Sequence, residues 1–166
     1  MHLHHAVYFL AAALPILIGF VWYSKPLFGD HWVNAASFRD GGVPPARMGL
    51  IVLFTYILSL MLSLVLSAIV IHQMTLGSIV QKQLLNPATK VMAQQWLDDS
   101  MARYGAEFRT FKHGALHGTI ISIFFALPVM GIIALYERKS FKYVAVHTGY
   151  WILTLALMGG VLCQWL

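Results

Sequence analysis

Charge is confined to three short regions of this 166-residue chain. Its eleven basic and six acidic residues, seventeen in all, lie within Lys25–Arg47, Lys82–Lys112 and Glu137–Lys142. The stretches between and around these regions contain no charged residue, and they cover 1–24, 48–81, 113–136 and 143–166. Each is long enough to cross a bilayer, which takes about 20 residues of helix.

Such apolar stretches can cross hydrocarbon only as helices or as a closed barrel, because lipid cannot hydrogen-bond an exposed backbone. The alternating pattern of a barrel is missing here. Hydrophobic residues make up 59% of the chain and charged residues 10%, against about 25% charged in soluble domains. The sequence therefore predicts an all-α integral membrane protein, one domain over 1–166, folded as an antiparallel bundle of four transmembrane helices. The predicted spans are about 5–24, 46–72, 111–136 and 142–164.

The first two charged regions also carry helical signals. Asp30 is a candidate N-cap for a short helix over about 30–39, and Asn86-Pro87 is typical of a helix start, here for about 87–104. In the second segment and just beyond it, apolar residues recur at helical spacing, namely Leu97, Met101, Tyr104, Phe108 and Phe111. We expect both helices to be amphipathic and to lie at the membrane surface. Aromatic and basic residues expected at the membrane interfaces are Trp22, Tyr23, Trp32, Trp96, Arg138, Lys139 and Lys142.

An even number of spans places both termini and the 73–110 region on one face of the membrane. The tight basic turn with Arg138, Lys139 and Lys142 lies on the other face. Because basic residues in short loops favour the cytoplasmic side, we expect this turn to be cytoplasmic and both termini to lie outside.

Small residues recur where helices could pack closely. A seam of hydroxyl side chains follows the second span, and glycines occupy the third and fourth spans. Small residues permit close approach between membrane helices, and hydroxyls can hydrogen-bond across the contact. We interpret these positions as packing surfaces, with a polar pathway for a solute or ion as the alternative for the seam. The residues are Thr55, Ser59, Ser63, Ser67, Gly114, Gly118, Gly149 and Gly160.

Eight histidines are the main candidate chemistry of this apolar chain. The predicted topology places six of them near one membrane face. His113 and His117 are four residues apart, the spacing at which a helix presents two imidazoles to a metal. One hypothesis is a transition-metal or haem site with His72, His113 and His117 as ligands. The alternatives are interfacial histidines with a structural role and a protonation switch. The six are His2, His4, His5, His72, His113 and His117.

The sequence contains no motif for the other common kinds of catalytic or redox site. The predicted spans hold no carboxylate, no GxSxG elbow occurs, and Gly-Ala-Leu separates His113 from His117 where a metalloprotease has its glutamate. Cys163 is the single cysteine, so a disulfide within the chain and a CxxC motif are both excluded. The net charge of +5 comes from residues beside apolar stretches, which fits lipid headgroups and not nucleic acid. We expect no enzymatic activity.

Several segments resemble a bacterial membrane family known as domain of unknown function 1761 (DUF1761). They are Gly19-Phe20-Val21-Trp22-Tyr23-Ser24 with Phe28-Gly29 and Trp32, then His113–Gly118, and most specifically Leu135–Gly160. The resemblance implies a four-helix protein of the bacterial inner membrane. It implies no activity or site residues, and the 73–110 region looks like an insertion relative to shorter relatives.

The function favoured by these patterns is a small, non-enzymatic membrane protein. It would associate with itself, as a homo-oligomer, or serve as an accessory subunit of a larger membrane complex. The first alternative is metal or haem binding by histidines at one membrane face. The second is an oligomeric transporter of a small solute or of protons.

Overall fold

The computed structural model describes residues 3–36 and 45–166, which form helices joined by short turns, with no strand among them. The predicted all-α class is confirmed. The helices, in chain order, are α1 (Leu3–Trp22), α2 (Gly29–Ala36), α3 (Pro45–Val70), α4 (Met74–Ile79), α5 (Gln81–Leu85), α6 (Lys90–Tyr104), α7 (Phe111–Ile121), α8 (Leu127–Tyr136) and α9 (Phe141–Trp165). A π-helical segment, Ser122–Ala126, joins α7 to α8.

Within the described residues, four helical stretches are long and apolar enough to cross a membrane. Their bounds are His5–Trp22, Arg47–Val70, Phe111–Tyr136 and Phe141–Trp165. These agree with the four predicted spans to within two residues at each end. The fourth stretch is the most buried inside the protein, so the other three are arranged around α9.

The third stretch is not a continuous α-helix. The π-helical segment precedes Pro128, and α8 begins at Leu127. Proline has no N–H and its ring clashes with the carbonyl four residues earlier. A wider π turn before Pro128 accommodates both effects.

The closest helix contact joins α7 to α9 and depends on glycine. Gly114 lies against the backbone of Gly159, and Gly118 lies against the carbonyl of Leu155, with no room for a Cβ at either position. One turn further along, the hydroxyl of Ser122 donates to the Trp151 carbonyl over 2.9 Å. In these contacts, increasing residue numbers along α7 are paired with decreasing residue numbers along α9.

The predicted hydroxyl seam lies largely inside the chain, on the part of α3 that contacts α1. Ser59, Ser63 and Ser67 are buried and Thr55 is partly buried. The Ser67 hydroxyl lies 3.2 Å from the hydroxyl of Tyr8 on α1. The remaining two predicted packing glycines also make internal contacts: Gly149 meets the Trp22 ring and Gly160 meets the Phe111 ring.

The first and third charged regions meet at the N-terminal end of α9. Lys139 donates from Nζ to the carbonyl of Ala36, at the end of α2, over 3.0 Å. The indole N–H of Trp22 donates to the Val146 carbonyl over 3.1 Å. Arg138 and Lys142 are exposed beside this contact. Of the predicted surface helix over 30–39, positions 37–39 lie outside the described residues.

The region 73–110 forms α4, α5 and α6, and α6 occupies most of the segment predicted as a helix over about 87–104. The predicted start at Pro87 differs from the observed start of α6 at Lys90. The Oδ1 of Asn86 accepts from the Ala88 amide over 3.0 Å and closes a turn before α6. Most of α6 is exposed, including Val91, Met92 and Met101.

Candidate functional site

Three histidines converge where the turn after α3 meets the start of α7. His72 follows the end of α3, and His113 and His117 lie on the first turns of α7. One potential ligand atom from each ring lies within 4.8 Å of the other two. The Nε2 atoms of His72 and His113 are 3.0 Å apart, so one ring donates and the other accepts according to its tautomer. We call these three residues the histidine cluster.

The start of α7 fixes the geometry of two of the three rings. Thr110 caps the helix, and its hydroxyl accepts from the His113 amide over 3.2 Å. A cap at this position places His113 and His117 on successive turns of one face. Their ring centroids are 4.4 Å apart, and each lies 5.0 Å from the ring of His72.

The loop before α7 is folded over the histidine cluster. Phe108 has φ 59°, a left-handed conformation that costs a non-glycine residue about 1–2 kcal/mol. Its ring centroid lies 5.2 Å from that of His113. Strained backbone of this kind persists where the surroundings hold it, and it is common at functional sites.

Two side chains hold this loop in place. Gln73 donates from Nε2 to the carbonyls of Tyr104 and Glu107 over 2.9 and 2.7 Å. The buried thiol of Cys163, on α9, lies 3.3 Å from the Phe108 carbonyl and 3.4 Å from the Val70 carbonyl. Gln73, next to His72, and Cys163, near the end of α9, therefore both hold the loop before α7 beside the histidine cluster.

The cluster is open to its surroundings. His72 is exposed, and His113 and His117 are partly buried. His72 also lines a cavity of about 580 Å³ together with Trp96, Tyr104, Glu107 and Phe108. Trp96, predicted as an interfacial residue, thus lies on the cavity wall beside the cluster. An ion could reach the imidazoles from this side without any rearrangement of the helices.

The other described histidines lie apart from the cluster. His5 is exposed near the start of α1, and His31 is exposed on α2 beside Phe28. His147 lies near the opposite end of α9, where its Nδ1 is 2.8 Å from the Tyr23 hydroxyl. The predicted grouping of His2 with the cluster falls outside the described residues, and so does the side chain of His4.

Tyr23 is the centre of a second group of aromatic side chains. Its ring packs against Trp32 and Tyr150, with centroids 5.1 and 5.2 Å away. Burial raises the pKa of the Tyr23 hydroxyl well above its usual range, and the neighbouring tyrosines raise it further. The hydroxyl is therefore neutral at ordinary pH and can donate to His147. Aromatic side chains therefore pack closely at this end of α9.

The sequence pointed to His72, His113 and His117 but missed the residues that support them. Thr110 followed by a helical apolar pattern is a recognisable cap signal. Phe108, Gln73 and Cys163 carry no such signal, because their roles arise from loop geometry and from contacts between distant segments.

Comparison with known proteins gives one match. A family model described as "Protein of unknown function (DUF1761)" matches residues 6–163, nearly the whole chain, and the predicted resemblance is confirmed. No curated protein and no solved structure matches the chain.

Proposed function

The chain belongs to the DUF1761 family, and from its geometry we propose that it is a membrane protein that binds a divalent transition-metal ion. The ligands are His72, His113 and His117. The observation that carries the proposal is the convergence of three imidazole nitrogens within 4.8 Å of one another, from segments separated by about 40 residues of sequence. Neutral imidazole is the commonest protein ligand for zinc, copper and iron.

The spacing of the nitrogens suits a single tetrahedral ion. Metal–nitrogen bonds of about 2.0–2.1 Å place two ligands of such an ion roughly 3.3–3.4 Å apart. The Nε2 atoms of His72 and His113 are 3.0 Å apart, and a ring nitrogen of His117 lies within 4.8 Å of a ring nitrogen of each. Three histidines leave the fourth position open, as in zinc sites that exchange water or substrate.

The same geometry disfavours a haem held between two of these histidines. Two histidines that ligate a haem iron must face each other across a flat macrocycle. Here the centroids of His113 and His117 are 4.4 Å apart, and both rings contact His72. A macrocycle would have to separate these rings, whereas a single ion fits among them.

The proposal includes the arrangement of the protein in its membrane. The four apolar stretches cross the bilayer as an antiparallel bundle, with α2 and α6 at its surfaces. The cluster lies beside Cys163 near one end of α9, and the turn with Lys139 lies at the other end. A helix of 25 residues is about 37 Å long, so these two sites face opposite sides. A bacterial inner-membrane location, implied by the family resemblance, belongs to the same proposal.

The sequence features that favoured self-association carry less weight here. Ser67 contacts Tyr8, and Gly114 and Gly118 contact α9, all within one chain. Self-association therefore stays a prediction, and the histidine cluster supports metal binding as the better proposal.

Zinc binding by purified protein tests this proposal. We expect one Zn²⁺ per chain, measured by competition with a chromophoric chelator and by elemental analysis. His113→Ala and His117→Ala should each weaken binding by at least about 100-fold, beyond the 10–100-fold typical of losing only a residue that supports a ligand. His31→Ala, which removes an exposed histidine outside the cluster, is the matched control and should bind as the parent does.

Equal binding by the parent, His117→Ala and His31→Ala would contradict the proposal, because any zinc retained would then lie elsewhere. Absence of zinc, copper and iron binding in the parent would also contradict it.

A further inference from the structure

An apolar cleft runs away from the histidine cluster along the same two helices. It lies between α3 and the α7–α8 stretch, over α9, and has a volume of about 530 Å³. This is within the 300–1,000 Å³ range typical of ligand pockets. Every residue that lines it is hydrophobic, among them Leu62, Val65, Ile69, Ile121, Phe125 and Trp151.

The end of the cleft nearest the cluster lies about one helical turn from it. On α7, Ile121 follows His117 by four residues, which keeps the two on one face of the helix and about 6 Å apart along it. On the other wall, Ile69 is the second-last residue of α3, and His72 lies in the turn after this helix, three residues beyond Ile69. A molecule lying in the cleft would thus have one end beside the open position of the proposed metal.

The length of the cleft matches one leaflet of a bilayer. Leu62 to Ile69 on one wall and Ile121 to Met130 on the other extend over roughly 10–14 Å of helix. Half the hydrocarbon thickness of a bilayer is about 15 Å. Val65 and Phe125 are exposed on the outer rim, so the cleft opens sideways into the lipid.

The π-helical segment helps to shape this cleft. Phe125 and Ala126 of that segment line the wall. The single hydrogen of the Ser122 hydroxyl, at the start of the segment, is shared between the carbonyls of Gly118 and Trp151, each 2.9 Å away. The contact with Trp151 ties the irregular turn to α9. Single π turns inside α-helices are frequent at functional sites.

The charge at the proposed metal site indicates which polar group a molecule bound in the cleft would carry. Three neutral imidazoles and a divalent cation leave two positive charges uncompensated, and no carboxylate belongs to the ligand cluster among the described residues. Carboxylate oxygen is an ordinary zinc ligand, at about 2.0–2.2 Å. An anionic oxygen at the end of an apolar chain would neutralise part of this charge.

We propose that the cleft binds a long-chain fatty acid from the bilayer, with its chain along α3 and its carboxylate in the open position of the metal. This inference rests on the metal site proposed above. It makes the histidine cluster a site for a lipid carboxylate and not for a soluble ligand. Because coupling between two bound ligands is reciprocal, the fatty acid and the metal should each strengthen the binding of the other.

The test uses delipidated protein in a detergent without a carboxylate, with oleate as the probe. Native mass spectrometry should show one zinc and one oleate on the same chain. Oleate should strengthen zinc binding by about tenfold, within the usual range for coupled sites. Methyl oleate, which lacks the carboxylate, should leave zinc binding unchanged.

Matched variants separate the cleft from the metal site. Val65→Trp fills the cleft, and Val21→Trp makes the same change at an equally exposed position outside it; the parent side chains are 62% and 61% exposed. Both variants should bind zinc as the parent does without oleate and should unfold at the parent temperature. Only Val65→Trp should lose the effect of oleate.

The outcomes distinguish this inference from the proposed function. No zinc on the parent protein removes the metal site and the inference with it. Zinc binding with no effect of oleate, or an oleate effect retained in Val65→Trp, overturns the inference alone.

Other outcomes would identify a different occupant. An equal effect of methyl oleate or of phosphatidylglycerol would show that a carboxylate is not required, and a dimer lost in Val65→Trp would assign the cleft to a second copy of the chain. If Glu107→Gln weakens zinc binding as much as His117→Ala, the open position belongs to Glu107.

Discussion

Phe108 connects the loop before α7 to the histidine cluster, and no sequence pattern indicated this contact. It adopts φ 59° while its ring lies over His113. The spacing of His113 and His117 could be recognised from sequence because one helix determines it. Contact of His72 with them depends on how α3 and α7 cross, and the predicted topology placed all three only on one face. The position of Phe108 could not be predicted, since a glycine and not a phenylalanine is the usual residue at positive φ.

Substitution of Phe108 separates backbone strain from ring packing. Phe108→Gly relieves the strained conformation and Phe108→Ala keeps it, while both remove the ring from His113. We expect the glycine variant to be more stable than the alanine variant by about 1 kcal/mol, measured by denaturant unfolding in detergent. Both should bind zinc more weakly than the parent. Greater stability of Phe108→Ala would contradict the positive φ at this position.

Tyr23 should make stability depend on alkaline pH. A tyrosine has a pKa of about 10 when unfolded, and burial raises the pKa of Tyr23 in the folded protein. Its contribution to stability is therefore complete below about pH 10 and is lost as the pH rises above that value. Between pH 9 and 11 the melting temperature of the parent should fall more steeply than that of Tyr23→Phe. Tyr136→Phe, at an exposed position, is the control and should follow the parent; identical slopes for all three proteins would refute the prediction.

At the scale of elements, the contact between α7 and α9 is the closest in the fold. Glycines at 114 and 118 were predicted to pack, but their partners on α9 were not predicted. Spacing within one helix is visible in a sequence, whereas the partner depends on how two helices cross. The π-helical segment was missed for a related reason. Pro128 indicates an irregular helix, but it does not specify whether a kink or a wider turn results.

Gly118→Ala should destabilise the bundle. A Cβ at this position would collide with the backbone of Leu155, so α7 and α9 would have to separate. We expect a loss of about 2 kcal/mol or more, in the range for overpacked contacts. Gly131→Ala, in the same apolar stretch but with open space around it, is the matched control. It should be neutral or slightly stabilising because alanine favours helix by up to about 1 kcal/mol. The two variants can be compared by thermal unfolding, and equal melting temperatures would contradict the close α7–α9 contact.

At the scale of the whole molecule, the two ends of α9 have different characters. One end carries the histidine cluster and the loop with Phe108. The other carries the group around Tyr23 and the basic turn that Lys139 joins to α2. The four apolar stretches could be predicted because segments that avoid water contain no charged residues, and the positions of the charged residues can be read from the sequence. The crossing of α3 and α7 that forms the cluster and the cleft leaves no comparable trace in composition.

Labelling with a membrane-impermeant thiol reagent tests this two-sided arrangement. Single cysteines at Asp98 and at Lys142, in a Cys163→Ser background, should react from opposite sides of sealed vesicles. The predicted orientation places Lys142→Cys on the cytoplasmic side and Asp98→Cys outside. Cys163 is buried, so the parent protein, which has no other cysteine, should not react with the reagent. The parent therefore serves as the negative control. Labelling of both positions from the same side would contradict the four-span arrangement.

The most direct measurement of the central claim is X-ray absorption spectroscopy of the zinc-loaded protein. We expect the zinc to be bound by three imidazole nitrogens at about 2.0–2.1 Å and by one oxygen. His117→Ala should lose one of the three imidazole contributions. A shell made only of oxygen, or a spectrum identical for the parent and His117→Ala, would contradict metal binding by the histidine cluster.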